Sequence, residues 1–86
     1  MLYSVHFSRE AEKELHDFSE PLLSRILKVI KKLSVSPRQL GCKKLQGKQG
    51  DLWRVRIGDY RIIYFIDDKI LIVDIRRIAH RSEVYD

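Results

Sequence analysis

The sequence predicts an α+β domain in which a helical hairpin packs on one face of a four-stranded antiparallel sheet. Three observations support this class: a strand-like run at the N-terminus, two helical stripes between residues 8 and 36, and three alternating runs in the C-terminal half. The predicted element order is therefore βααβββ. At 86 residues, the chain is expected to form one domain spanning residues 1–86.

The first strand and the two helices follow from alternation and from helix-capping signals. Leu2–Phe7 alternates apolar and polar side chains, which predicts a strand. Ser8 is a good N-cap residue for a helix that runs to about Phe18. Ser19-Glu20-Pro21 restarts a second helix with serine as its cap, and Ser34-Val-Ser-Pro37 ends it.

A glycine-containing dipeptide, Gly58-Asp59, is predicted to join two strands after a loop at residues 38–50. The runs at residues 51–57 and 60–66 flank this dipeptide, and both alternate strongly. Glycine followed by aspartate suits a two-residue turn in which φ is positive. We therefore expect a tight hairpin whose turn fixes the register of both strands.

The last strand is predicted from about Ile70 to Ile78, after another tight turn at Asp67-Asp68. That turn sets Leu71 opposite Tyr64 and keeps the apolar side chains on the face that the helices must cover. A shift by one residue would bury the carboxylate of Asp74, which is unfavourable in an apolar core.

The hairpin register gathers arginines on the sheet face that the helices leave uncovered. Arg56 is expected directly across from Arg61, with Arg54 two positions away, and Asp74 of the last strand is expected opposite Arg61. Like charges opposed across a ladder repel, so this arrangement does not serve stability. Three guanidinium groups on a rigid sheet predict an anion site, for which a nucleic-acid backbone is the obvious polyanion.

Composition and motifs exclude several classes of function. The net charge is +5, and 44% apolar residues are too many for a disordered chain. No apolar run is long enough to cross a membrane, and the single Cys42 cannot form an internal disulfide. The sequence has no nucleophilic triad, paired-carboxylate site, P-loop or metal constellation. We therefore expect a cytoplasmic protein that uses no metal and no cofactor.

The lysines expected to contact phosphates are Lys43, Lys44 and Lys48.

The C-terminal tail supplies the remaining candidate groups. His80 is the one tail side chain that titrates near physiological pH, so it is either a proton carrier or an ordinary surface histidine. Tyr85 is suited either to stacking on a base or to sealing the core. Strict alternation would place Arg81 on the core side, so the strand is expected to leave the sheet or to contain a bulge near Arg77.

Four segments resemble the RelE/ParE superfamily of bacterial and archaeal toxins. They are Phe7-Ser-Arg-Glu-Ala11, Lys44-Leu-Gln-Gly47, Trp53-Arg-Val-Arg-Ile-Gly-Asp-Tyr-Arg-Ile-Ile-Tyr64 and His80-Arg-Ser-Glu-Val-Tyr85, and the resemblance covers essentially the whole chain. It implies a RelE-like fold and the toxin component of a type II toxin–antitoxin system, neutralised by an acidic antitoxin. The antitoxin is expected to cover the apolar end of the arginine-bearing face, at Ile63, Phe65 and Ile72.

Two activities occur in that superfamily. RelE-like members are endoribonucleases that cut mRNA on the ribosome, whereas ParE-like members poison DNA gyrase and lack the cationic catalytic set. The resemblance implies an mRNA interferase, and gyrase inhibition without nuclease activity is the alternative; a relic that merely binds its antitoxin is a third possibility. RelE has lysines where this chain has Arg54 and Arg56. The resemblance implies that Arg54, Arg56, Arg61, Arg81 and Tyr85 match the catalytic positions of RelE-type members, and His80 is the candidate proton carrier.

Overall fold

Two helices and five strands make up the part of the chain that the structure, a computed structural model, describes: residues 2–39, 41–45 and 52–84. The strands form one sheet in the order β1-β5-β4-β3-β2. The predicted α+β class is confirmed, with one strand more than expected. The elements are β1 (Ser4–Phe7), α1 (Arg9–His16), α2 (Leu22–Val35), β2 (Cys42–Lys44), β3 (Leu52–Ile57), β4 (Tyr60–Asp67) and β5 (Ile72–His80).

The additional strand, β2, makes the sheet mixed instead of antiparallel. It lies in the segment predicted as a loop, and it pairs antiparallel with β3. Each hairpin reverses the direction of the chain, so one more strand makes β5 run with β1 and not against it. The two strands accordingly pair in parallel, with Ser4 opposite Ile72.

The first helix begins where its capping signal was expected, whereas α2 begins at Leu22, with Pro21 instead of Ser19 at the N-cap position. The Ser8 Oγ accepts a hydrogen bond from the Ala11 N–H at 3.0 Å, which confirms the predicted N-cap of α1. Ser19 does not cap α2 through its side chain. Instead, the Glu20 carboxylate accepts a hydrogen bond from the Ser24 N–H at 2.9 Å, so the acid in this turn replaces the serine.

The predicted register between the last two strands is wrong. Ile75, and not Leu71, lies opposite Tyr64. The connection between β4 and β5 is longer than the two-residue turn expected, and the Asp67 carboxylate accepts two backbone N–H groups there, at 3.0 and 3.3 Å. The register differs by an even number of residues, so Val73 and Ile75 still face the helices as predicted.

A β-bulge interrupts β5 near Arg77, where the sequence predicts either a bulge or a departure from the sheet. Ile63 lies opposite Arg77, whereas the next residue of β4, Tyr64, lies opposite Ile75. One residue of β5 is therefore extra, and the alternation of side chains beyond it is inverted. As a consequence, Ile78 is buried on the helix side of the sheet.

The core lies between the helices and one face of the sheet. Tyr64 is fully buried at its centre; its hydroxyl donates to the Pro37 carbonyl at 2.7 Å and lies 2.7 Å from the Cys42 Sγ. Burial and the contact with Cys42 raise the pKa of Tyr64. The buried apolar side chains of this core are Ala11, Ile26, Ile30, Leu33, Val55, Ile57, Ile62, Ile66, Val73, Ile75 and Ile78.

Candidate functional site

Arg54, Arg56 and Arg61 occupy adjoining positions on the sheet face that is turned away from the helices. Arg56 lies directly opposite Arg61, which confirms the predicted hairpin register, and Arg54 precedes Arg56 by two residues on the same strand. Their neighbours Val55 and Ile62 are buried in the core, so alternation places the arginines on the other side. Opposed side chains in such a ladder have Cβ atoms about 4.5–5.5 Å apart. We call this surface the arginine face.

Two of the three arginines are held in place by packing. Arg54 and Arg61 are only 6% and 7% exposed, whereas Arg56 is exposed. The Arg61 Nη1 donates to the Tyr60 carbonyl at 3.3 Å, and all three arginines have further interactions within the chain. Packed aliphatic stems restrict the rotamers of these side chains, so the charges are positioned before any ligand arrives.

The sequence predicts Asp74 opposite Arg61, and this prediction is wrong. The corrected register places it opposite Phe65, where its carboxylate binds Arg76 at 3.2 Å. The residue of β5 opposite Arg61 is the uncharged Ala79. The β5 neighbour of the opposed arginine pair is therefore neutral and small.

The predicted phosphate-binding lysines are divided between the two faces of the sheet. Lys43 lies opposite Arg54, so it extends the arginine face toward the edge of the sheet. Lys44 lies opposite Trp53, which packs against the helix-side core, and it is therefore on the other face. Lys48 lies outside the described residues. Of the lysines described, Lys43 is the one that the fold adds to the arginine face.

His80 lies on the helix side of the sheet and does not meet the arginine face. It pairs with Tyr60, and the two rings meet edge to face with centroids 5.4 Å apart. Tyr60 in turn packs edge to face on Phe18 at 5.2 Å. The bulge causes this placement: with unbroken alternation from Ile75, His80 would point to the same side as Arg61.

Arg81 lies beside the hairpin turn. Its N–H donates to the Asp59 carbonyl at 2.7 Å, and its Nε is 3.9 Å from the Asp59 carboxylate, with the side chain 64% exposed. Arg81 follows Ala79 by two residues, and Ala79 is the partner of Arg61, so Arg81 adjoins the arginine face at the end of the sheet. The remaining predicted catalytic residue, Tyr85, lies outside the described residues.

The predicted antitoxin contacts form the apolar end of the arginine face. Ile63 is 6% exposed, as little as Arg54, while Phe65 and Ile72 are half-buried. Ile70, in the connection between β4 and β5, is 64% exposed and was not among the predicted contact residues.

The chemistry available on the arginine face is that of fixed cations. Guanidinium groups bind phosphate through bidentate forks and stabilise developing negative charge, but they do not exchange protons efficiently near neutral pH. Across residues 2–39, 41–45 and 52–84, no three His, Cys, Asp or Glu side chains are grouped so that they could hold a metal ion. Neither α1 nor α2 has the length and apolar character needed to cross a membrane.

Comparison with known proteins identifies the family. The sequence model described as the ParE toxin of type II toxin–antitoxin systems matches residues 5–85. The chain belongs to this toxin family. A curated relative, Toxin RelG of Mycobacterium tuberculosis, is 33% identical over 86 residues, covering 99% of this chain and 98% of the relative.

Solved toxin structures share the fold of this toxin. The toxin in the Mycobacterium tuberculosis toxin–antitoxin complex RelBE2 superposes with a TM-score of 0.80 at 30% identity, covering 94% of this chain and 100% of that one. The archaeal RelE–RelB complex from Pyrococcus horikoshii OT3 also gives 0.80 at 30% identity, covering 98% and 100%. The expected membership of the RelE/ParE superfamily, as the toxin of a type II system, is confirmed.

Proposed function

We propose that this toxin is a ribosome-dependent endoribonuclease that cleaves mRNA and so inhibits translation. The observation that carries the proposal is the opposed pair Arg56 and Arg61, with Arg54 adjoining, on the sheet face that the helices do not cover. Guanidinium groups clustered in this way suit the bidentate binding of phosphate groups. The names of the similar proteins, RelG and RelE, support the same class of activity.

In the proposed reaction, a ribose 2′-hydroxyl attacks the adjacent phosphorus and the bond to the 5′-oxygen breaks. The products are a 2′,3′-cyclic phosphate and a 5′-hydroxyl. Arg61 clamps the scissile phosphate and stabilises the charge that develops on it. Arg54 and Arg56 hold neighbouring phosphates and offset the charge of the leaving alkoxide. Arg81, at the end of the sheet, would bind a further phosphate of the RNA.

The arginines do not carry out the two proton transfers of the reaction, from the attacking hydroxyl and to the leaving oxygen. Solvent or a ribosomal group takes the proton of the attacking hydroxyl and supplies one to the leaving oxygen. Tyr85 is proposed to stack on or orient a nucleotide. The ribosome would bend the mRNA into an in-line geometry, which supplies the orientation that a set of fixed cations lacks.

Primer extension on a translated mRNA after induction tests this proposal. We compare the wild type with Arg61→Met, because methionine keeps the packing of the buried stem and removes the charge. The matched control is Arg76→Met, which removes an arginine bound to Asp74 away from the opposed pair. New mRNA ends are expected with the wild type and the control but not with Arg61→Met. Undiminished cleavage by Arg61→Met would end the mechanism.

The second candidate function is inhibition of DNA gyrase without cleavage of RNA. It is favoured by the family description, which names ParE toxins. The set of Arg54, Arg56 and Arg61 speaks against it, because a gyrase inhibitor has no use for a clustered phosphate clamp. A supercoiling assay with purified gyrase separates the two, since only the inhibitor blocks supercoiling.

An acidic, amphipathic antitoxin is the proposed protein partner. The two similar structures described above are toxin–antitoxin complexes, which supports a partner of this kind. Its apolar side chains would cover Ile70, Phe65 and Ile72, and its carboxylates would neutralise the arginine face. Added salt should weaken RNA binding more steeply than it weakens this partly apolar contact.

A further inference from the structure

Three hydrogen bonds fix the backbone around Arg81 at the end of β5. The Arg81 N–H donates to the Asp59 carbonyl at 2.7 Å, and the Glu83 N–H donates to the His80 carbonyl at 2.8 Å. Between them, the Ser82 N–H donates to the Nδ1 of the His80 ring at 3.1 Å. The backbone bond from Glu83 closes the turn that contains Arg81, and the imidazole accepts the Ser82 N–H inside that turn.

The direction of the bond from Ser82 determines the tautomer of His80. A backbone N–H can only donate, so Nδ1 must accept and cannot carry a hydrogen. The Ser82 Oγ, 2.9 Å from the same nitrogen, then also acts as a donor. The ring hydrogen is consequently on Nε2. An imidazolium has hydrogens on both nitrogens, so a charged His80 would lose this bond.

The ring is also held in place by its surroundings on the helix side of the sheet. Its edge-to-face contact with Tyr60 fixes the plane of the imidazole. The cleft beside it has a volume of about 320 Å³ and is lined by carboxylates of α1 and the tail. The ionisable groups that face the ring across this cleft are Glu14, Asp17, Tyr60 and Glu83.

We infer that His80 is a positioning residue that orders the tail turn through its Nδ1 and thereby places Arg81 beside the arginine face. This role rests on the proposed nuclease function and replaces proton transfer as the task of His80. The lone pair of Nδ1 accepts the Ser82 N–H, so the imidazole is not available as a general base while this bond is formed. What the reaction requires from His80 is an acceptor at the position of Nδ1.

Two substitutions separate positioning from proton transfer. His80→Asn keeps an oxygen acceptor near the position of Nδ1 and cannot exchange protons, whereas His80→Phe keeps an aromatic ring against Tyr60 and has no acceptor. We expect His80→Asn to retain cleavage and His80→Phe to lose roughly three- to tenfold, the scale of one hydrogen bond. Ser82→Ala is the matched control; it keeps the backbone N–H and should retain cleavage.

Equal loss of cleavage in His80→Asn and His80→Phe would overturn the inference in favour of proton transfer, and no loss in either would overturn it as well. Amide hydrogen exchange gives a readout that does not depend on cleavage. The Ser82 amide should be protected in the wild type and in His80→Asn but not in His80→Phe, and a fast-exchanging wild-type amide would refute the turn. A wild type that cuts no mRNA contradicts the proposed function instead, and the exchange data still test the turn.

Discussion

Single residues on the arginine face oppose the stability of the fold. Arg56 and Arg61 meet across two strands, where like charges repel. Arg61 and its neighbour Arg54 are also largely withdrawn from water, and other groups of the chain engage both of them. Positions that break the rules of sheet stability in this way are where function is expected to dominate the choice of residue.

The substitution Arg56→Gln should separate stability from activity. Arg56 is exposed, so we expect the free energy of unfolding to change by less than about 0.5 kcal/mol. Cleavage should fall roughly 10- to 100-fold, because a charge-assisted phosphate contact contributes about 1.5–3 kcal/mol. Urea unfolding and initial cleavage rates measure the two effects. A similar fall in Arg76→Gln would show that net charge alone, and not the opposed pair, governs the rate.

Asp68 connects three distant segments at the end of the sheet opposite to the Gly58 turn. Its carboxylate accepts the Tyr3 hydroxyl at 2.7 Å and a bidentate pair of Arg38 bonds at 2.8 and 3.2 Å. Arg38 also stacks over Trp53, with its guanidinium carbon 5.5 Å from the ring centroid. The bonds from Arg38, and then that from Tyr3, hold the pKa of Asp68 below its ordinary value.

The lowered pKa of Asp68 predicts a pH-dependent contribution to stability. A depressed carboxyl pKa stabilises the fold above the ordinary value of 3.8 and ceases to do so as the pH falls through the lowered one. Asp68→Asn should therefore lower the Tm at pH 7, and the gap to the wild type should narrow progressively as the pH falls below about 4. Thermal unfolding across this range measures it. A gap that stays constant with pH would exclude an electrostatic origin.

At the scale of elements, local signals could be predicted and pairing partners could not. The hairpin register was confirmed because Gly58 takes a positive φ of +60° while Asp59 does not, the pattern of a two-residue type II′ turn. By contrast, Leu71 takes a positive φ of +55° in the next connection, which its residue type does not indicate. The short strand β2 exists through its pairing with β3, and three residues are too few for a periodic signal.

Glu14 of α1 contacts the bulge in β5 with both of its carboxylate oxygens, and Glu10 lies 3.1 Å from the same Arg77. Glu14 accepts the Ile78 N–H at 2.8 Å through Oε1, and its Oε2 lies 2.9 Å from Nη2 and 3.0 Å from Nε of Arg77. Bonds to Glu14 raise the pKa of Arg77. The bulge decides that His80 faces the helices, so Glu14 helps to set which tail side chains lie on the arginine face.

Glu14→Ala should destabilise the toxin by about 1–3 kcal/mol, since it leaves the N–H of the buried Ile78 without an acceptor. Glu14→Gln retains the amide oxygen for that N–H and should cost less. The exposed Glu12→Ala on the same helix is the matched control, expected to change stability by less than about 0.5 kcal/mol. The free energies of unfolding are compared through the midpoints of urea unfolding, measured where the m-value is the same for all variants. Equal losses in Glu14→Ala and Glu12→Ala would contradict the role of this carboxylate.

At the scale of the whole molecule, the helices and the arginine face lie on opposite sides of one sheet. The sequence predicted this division from alternation alone, because an even error in the register of β5 does not move a side chain to the other face. The prediction from alternation failed for His80, because the bulge adds one residue to β5 and so moves the following side chains to the opposite face. The helix side holds the apolar core, and the other side holds the arginine face.

The same division predicts different salt dependences for two adjacent lysines. Lys43 is on the arginine face and Lys44 is on the other face. For single-stranded RNA, each lost phosphate contact reduces the slope of log K against log salt by about 0.7. Lys43→Gln should show this reduction and Lys44→Gln should not, as measured by fluorescence anisotropy with an RNA oligonucleotide. Identical slopes for the two variants would mean that RNA does not bind along the arginine face.

Cleavage of a defined mRNA on purified, programmed ribosomes tests the central role of the arginine face most directly. The wild type should cut ribosome-bound message to a 5′-hydroxyl product and leave free message intact. Arg61→Met should still fold, as a cooperative urea transition would show, and should release no product. Cleavage by Arg61→Met at the rate of the wild type would show that the opposed arginines are not the phosphate clamp.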